Sequence, residues 1–393
     1  MESSPSPTSP VSVEHHPWDW WRNQMPITKN WTYLDHAAVG PLSAPAAQAI
    51  CRYAGEAESQ GDTMWPTWAG RVDELRRASA ALLGTETDEI CLIPNTSTGI
   101  NLIAEGFRWQ AGDSVVLPEG EFPSNLFPWE NQAARGVTIR KVARQGDVVS
   151  VDDLLAACDA STKLISLSWV GYASGYRIDL ERLVGEAHDR GILVFLDAIQ
   201  GLGVFDLDLR KIDVDFLAAD GHKWLLGPEG MGIAMIRRKH FDRLRCGNVG
   251  WNSVKNAFNY AKPELELKNA AERFEPGSAN MVGSAALAAS LDLFLTIRDH
   301  HGPDAIASRV LSLTDELRES LLERGITTRQ DAEQNHRSGI VTFEVPGRSP
   351  VDVRNELLKA GCVVSCRDGG VRASVHAYNN SEDLSRLVNA IKA

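Results

Sequence analysis

The sequence predicts an α/β protein whose larger part is a doubly wound, mostly parallel sheet, and three observations lead there. Short, almost wholly apolar runs recur at residues 114–117, 163–167, 192–196, 215–217 and 232–236. Strands of that kind are buried on both faces, as in a parallel sheet. Between two of them Leu180, Leu183, Val184 and Ala187 fall at i, i+3, i+4 and i+7, the apolar stripe of a helix that covers such a sheet. Past Phe274 the texture changes to longer helical stretches with a few short strands, which predicts a second, smaller α/β layer.

Residues 1–16 are polar and proline-rich, and composition alone leads us to expect disorder there. Trp18, Trp20 and Trp21 then cluster ahead of Pro26. They read as an arm that buries aromatic area on the body of the chain or on a partner subunit. Trp68, Val72, Leu75 and Leu82 share one face of a helix over 67–83, with Gly84 as its stop. The strands and helices of the large sheet follow. The smaller layer comprises helices over 284–297 and 311–323, a strand at 339–345 and a helix at 350–360. Strands at 362–365 and 371–374 and a last helix from Ser381 complete it. The expected division is an N-terminal arm (1–30), a large domain (31–280) and a small C-terminal domain (281–393).

Composition bounds the function. A chain of 393 residues buries a large core without disulfide or metal staples. Its net charge of -12 disfavours nucleic acid or an anionic membrane as a partner. The six cysteines include no C-x-x-C pair, which suits free thiols in a reducing compartment. No basic and apolar leader opens the chain, and the apolar run at 285–295 is interrupted by Ser290 and Asp292 and is short for a bilayer. A cytoplasmic protein is expected. The adjacent pairs His15–His16 and His300–His301 lack the spacing of a helical metal site, so no metal is expected. Nor does the glycine run at 227–232 match a nucleotide-binding loop.

Ligands of open α/β sheets sit at the carboxyl ends of strands, and three such ends here are polar. One strand runs into Asp197-Ala-Ile-Gln200. Another runs into Asp220-Gly-His222-Lys223, followed by Trp224. A third segment, Pro94-Asn-Thr96-Ser97-Thr-Gly99, opens a helix whose free N–H groups could hold a phosphate. A desolvated lysine has a lowered pKa and reacts with carbonyls, and a buried carboxylate can keep a pyridine nitrogen protonated. Pyridoxal 5′-phosphate would use both. Spacing alone leaves two other readings open, a snorkelling surface lysine and a buried Asp–Lys pair without a cofactor.

From Tyr33-Leu-Asp-His36-Ala-Ala to Val371-Arg372-Ala-Ser374-Val-His376-Ala-Tyr-Asn379 the chain resembles the class V aminotransferase family. These are fold-type I pyridoxal-phosphate enzymes, and they include cysteine desulfurases, isopenicillin N epimerases and kynureninases. The resemblance implies that Lys223 carries the cofactor as a Schiff base and that Asp197 and Gln200 serve the pyridine nitrogen and the phenolate oxygen. It implies that Thr96, Ser97 and His222 serve the phosphate. Ser278 matches a hydroxyl given to the phosphate by a partner subunit, hence a homodimer with shared active sites. Arg372 matches the residue that grips the substrate α-carboxylate.

Departures from the family pattern are informative. Phe122 stands where desulfurases stack a histidine on the cofactor, and Tyr172 stands in place of an asparagine near the phenolate oxygen. Asp220 replaces a serine. Trp251 belongs either to a site wall or to the core. His36, where the family usually has Asn or Ser, is expected to face substrate, and His376 lies beyond the arginine. Only residues 367–371 separate Cys366 from Arg372, which fits a tight hairpin better than the mobile loop that carries a desulfurase nucleophile. An aminotransferase or epimerase-like enzyme is therefore preferred. A cysteine desulfurase or cysteine lyase is the alternative, since a lyase needs no such loop, and a non-catalytic protein of the same fold is the third reading.

Overall fold

The computed structural model describes residues 11–329 and 333–392. The expected disorder over 1–16 falls outside the described residues as far as residue 10. Helix α1 (Pro17–Asn23) carries Trp21, which is fully buried and meets Phe294 edge-on at 4.8 Å and His376 at 5.2 Å. The tryptophan cluster thus docks on its own chain, pinned by the ion pair Arg22–Asp383 at 2.8 Å.

After the short strand β1 (Thr32–Tyr33) come two long helices, α2 (Ala44–Gln60) and α3 (Trp65–Leu83). The Ser43 side chain accepts from the Ala46 N–H and caps α2. At the end of α3, Gly84 takes φ 62, the left-handed stop expected of a glycine.

The large sheet has seven strands: β2 (Ile90–Ile93), β3 (Ser114–Pro118), β4 (Thr138–Val142), β5 (Thr162–Ser168), β6 (Leu193–Asp197), β7 (Phe216–Asp220) and β8 (Gly232–Ile236). Their order is β2-β8-β7-β6-β5-β3-β4. Every neighbouring pair from β7 to β4 is parallel, while β8 runs against both β7 and β2. Strands β3, β6, β7 and β8 are buried at every position. Two strands of this sheet escaped the sequence reading. β4 is a half-exposed edge with Arg140 and Lys141, charged as edges usually are, and β2 has only four residues between a tight turn and a helix. Helices α4 (Thr96–Gly106), α5 (Phe127–Glu130), α6 (Val151–Ala156) and α7 (Leu180–His188) connect these strands. Because β2, β3, β5, β6 and β7 share one direction, the segments that follow them emerge along one edge of the sheet.

Helix α8 (Met281–His301) is long and apolar enough to cross a membrane, yet most of it is buried against α2 and α3. Its Leu287, Leu291, Phe294 and Ile297 belong to the core of the large sheet. Ser290, which interrupts its apolar run, donates to the Leu225 carbonyl at 2.6 Å and so fastens the loop after Lys223. The smaller layer follows with α9 (Ala305–Glu323), β9 (Thr327–Thr328), β10 (Ile340–Glu344), α10 (Pro350–Lys359), β11 (Cys362–Val363), β12 (Ser365–Arg367), β13 (Gly370–Ser374) and α11 (Ser381–Ala390). Strands β12-β13-β10-β9 form an antiparallel sheet, and β11 pairs with β1. This layer has its own core, in which Leu34 from the start of the chain joins Leu313, Leu317, Phe343 and Leu384.

Candidate active site

A cleft of about 350 Å³ opens where the parallel strand ends meet the small sheet, and Lys223, Asp197 and Arg372 all line it. Lys223 stands three residues beyond β7. The loop that holds it is tightly determined. Gly40 donates to the His222 carbonyl at 2.6 Å, and a Cβ at Gly40 would lie 2.1 Å from the Lys223 carbonyl oxygen, so only glycine allows this approach. Leu226, fully buried, takes φ 55, a left-handed conformation that costs a side chain about 1–2 kcal/mol. Burial pulls the Lys223 ammonium below the ordinary lysine range, opposed by Asp197 and reinforced by Arg372. Its Nζ lies 5.7 Å from the centre of the Phe122 ring, which meets Tyr172 edge-on at 5.3 Å.

Asp197 ends β6 and is almost fully buried. Burial raises its pKa, the Glu121 carboxylate raises it further, and the Ile199 N–H donating at 3.1 Å works the other way. Glu121 went unnoticed in the sequence. It accepts from the Ser168 N–H at 2.8 Å and from the Ser168 hydroxyl, and Ser168 pairs in register with Asp197. The signal was a carboxylate three residues past a wholly buried strand. Gln200 is held at both ends, donating to the Ala37 carbonyl at 3.0 Å and accepting from the Trp224 indole at 2.8 Å.

At the other end of the cleft α4 begins. The Asn95 side chain accepts from the Thr98 N–H, and the remaining free N–H groups of this first turn face the cleft end where Thr96 and Ser97 lie. Thr96 Oγ1 accepts from the Asp220 N–H at 2.9 Å, so its own proton remains free to donate. Ser97 donates to Ser124, a second cleft hydroxyl that the sequence did not single out, at 2.7 Å. The Asp220 carboxylate lies 3.0 Å from His222 Nδ1, close to the Thr96 end of the cleft.

Arg372 comes from the small sheet. It is 1% exposed, donates to the Tyr172 carbonyl at 2.7 Å, lies 3.4 Å from Asp35, and among the described residues its buried Nε has no hydrogen-bond partner. Burial lowers its pKa to about 10. Asp35, also missed by the sequence reading, is held by the Ser365 hydroxyl at 2.8 Å. The hairpin β12–β13 places Ser365 opposite Arg372 and Cys366 opposite Val371. Since side chains alternate across a strand, Arg367 shares the cleft face of Ser365 and lines the cavity. Cys366 points away, with Sγ 3.2 Å from the Pro350 carbonyl, and burial pushes its thiol pKa up.

The expectations for His36 and for Trp251 need correcting. His36 does not face substrate. It is fully buried, with Nδ1 2.8 Å from the Ser374 carbonyl and Nε2 2.6 Å from the Tyr378 hydroxyl, and burial lowers its pKa to about 4. The cause is the bridge between Asp35 and Ser374, which draws this segment onto the small sheet and turns the imidazole inward. Ser278 is exposed and lies outside its own chain's cleft. His376 is likewise buried, 3.0 Å from the Trp224 carbonyl. Trp251 is 39% exposed and meets Phe258 at 5.7 Å, in neither the cleft nor the core.

The donor set suits pyridoxal phosphate. Hydroxyls and free N–H groups gather at one end, a buried carboxylate lies deep in the cleft, a desolvated amine stands between, and an aromatic ring is near. The aminotransferase class-V family model matches residues 32–387. A probable cysteine desulfurase of Methanothermobacter thermautotrophicus is 31% identical, with 93% of this chain and 95% of that protein covered. The isopenicillin N epimerase of Streptomyces clavuligerus is 26% identical over 96% of this chain and 98% of that one. Among solved structures, the apo cysteine desulfurase of Thermococcus onnurineus NA1 superposes with a TM-score of 0.84 at 26% identity, covering 94% and 96% of the two chains.

Proposed function

The chain belongs to the aminotransferase class-V family, and from that premise we propose that it transforms a free amino acid at Cα by proton transfer, as an aminotransferase or epimerase does. Its cofactor is pyridoxal 5′-phosphate, which when bound supplies an electrophilic carbonyl and an electron-withdrawing ring. The observation that carries the reading is the burial of Lys223 and Asp197 in one cleft while Cys366 faces away from it.

Each residue then has a task. Burial leaves more of Lys223 as the free amine at neutral pH, so Nζ can take a proton and return it. Asp197 would hold a proton at the ring nitrogen, with the Glu121 carboxyl close behind it. Thr96, Ser97 and the start of α4 would hold the phosphate, with His222 beside them. Gln200 and Tyr172 would flank the phenolate oxygen, and Phe122 would cover the ring and exclude water. Arg372 would clamp the substrate carboxylate with its planar fork.

Relatives named as desulfurases favour a second reading, release of sulfur from cysteine. Persulfide transfer needs a thiolate at the cleft, and the raised pKa and outward direction of Cys366 oppose it. A lyase needs no thiolate. Spectral change and turnover across a panel of amino acids test the proposal. Sulfide release from L-cysteine that disappears in Cys366→Ala would replace it with desulfuration. Sulfide release that survives the substitution, with no other amino acid turned over, would replace it with a lyase.

We further propose a homodimer with shared sites. Ser278 is exposed and outside its own cleft, and Trp65, Trp251, Phe258 and Tyr260 form an exposed aromatic group of the kind that marks an interface. Mixed dimers of Lys223→Ala and Ser278→Ala subunits should recover part of the activity, and mixing without recovery speaks against sharing.

A further inference from the structure

We infer that Arg367 is a specificity residue that selects amino acids whose side chain carries a second anionic group, most simply a carboxylate. The inference rests on Arg372 taking the α-carboxylate. Register places the two arginines together: Ser365 stands opposite Arg372, and Arg367, two residues on, lies on the same face. Diagonal neighbours across an antiparallel pair are about 7–8 Å apart at the backbone, a separation that one small dicarboxylic ligand can bridge between two long side chains.

The two guanidinium groups are differently provided for. Arg372 has Asp35 and the Tyr172 carbonyl. Arg367 also lines the cavity and is half-buried, but its Nη1 donates only to the adjacent Cys366 carbonyl, at 2.7 Å. Among the described residues no carboxylate lies within ion-pair distance of it, and its cross-strand partner Gly370 has no side chain. The turn that carries it is well determined, with Asp368 at φ 48 and Gly369 at φ 79, the left-handed pair of a two-residue hairpin. A positioned cation with no ion-paired carboxylate among the described residues attracts an anionic side chain in a substrate cleft. It also penalises a neutral one, which would desolvate the charge without pairing it.

The test compares each acid with its amide on the holoenzyme: L-glutamate with L-glutamine, L-aspartate with L-asparagine, and S-carboxymethyl-L-cysteine for a longer reach. The acid should be favoured in kcat/KM by about 10- to 100-fold, the worth of a charge-assisted pair. Arg367→Gln should abolish that preference by slowing the acids while leaving the amides within about threefold. Arg367→Lys, which keeps the charge, should restore part of it and so separates lost charge from lost fold. A wild-type enzyme that treats acid and amide alike, including one that processes neither, overturns the inference, and so does an Arg367→Gln variant that slows both equally. The clamp reading fails separately. Arg372→Gln should slow acid and amide by one factor and leave their ratio unchanged, and unchanged turnover there would break that reading while the Arg367 ratio still decides selection.

Discussion

The two walls of the cleft are built differently. One is the edge of the large sheet, where Lys223 and Asp197 follow strands buried at every position. The other is the hairpin β12–β13, whose strands have three and five residues and whose turn protrudes from a separate layer. The first wall, to which we assign the proton chemistry, is braced by Gly40, by the left-handed Leu226 and by the Ser290 hydroxyl behind it. The second carries the arginines. On the proposed roles, reaction type falls to the large sheet and substrate choice to a short hairpin, whose strand β13 is likewise buried at every position.

That contrast can be broken at either wall. The largest effect is expected at Lys223: Lys223→Ala should lower turnover on the order of 10³-fold or more, with loss of the cofactor's covalent absorbance. Next comes Asp197→Asn, which should lower kcat on the order of 10²-fold at little change in KM. On the ribbon, Arg372→Gln should raise KM by about 10- to 100-fold while the cofactor spectrum stays intact. If that variant loses the cofactor instead, the two walls are not separable. The smallest effect is Cys366→Ala, with turnover within about twofold and stability within about 1 kcal/mol.

The buried wall also has a pH signature in the cofactor-free protein. Lys223 has a folded pKa below its unfolded one, so between the two values the unfolded state binds more protons and stability rises with pH. Asp197 has a folded pKa above its unfolded one, so across its window stability falls as pH rises. Denaturant titrations should therefore show a falling limb on the acid side and a rising limb on the alkaline side. Asp197→Asn should remove the first and Lys223→Met the second, and limbs that persist in these variants would assign the titrations elsewhere.

Legibility in the sequence followed the same divide. The wall of parallel strands could be read because apolar runs ending in Asp197 and in Asp220 to Lys223 announce both burial and a strand end. Thr96 could be read because hydroxyls and a glycine open a helix there. The ribbon was harder. Its turn was legible from the short gap between Cys366 and Arg372, yet Arg367 became a cleft residue only once register showed which face it shares. His36 was misplaced because β1 has only two residues, too few for alternation to tell inside from outside. Glu121 and Asp35 were missed because their burial depends on hydrogen bonds from Ser168 and Ser365, partners distant in sequence.

The docking of α1 has a consequence during synthesis. Arg22 contacts the Tyr378 carbonyl, 356 residues further along, and Trp21 packs on His376 and Phe294. At about 5–20 residues per second on the ribosome, the first tryptophans to emerge wait on the order of tens of seconds for the surface that will cover them. Until α8 and the segment after β13 leave the tunnel, Trp21 lacks the Phe294 and His376 rings that cover it in the folded chain. The contact between Arg22 and the Tyr378 carbonyl is thus among the last long-range contacts that synthesis allows.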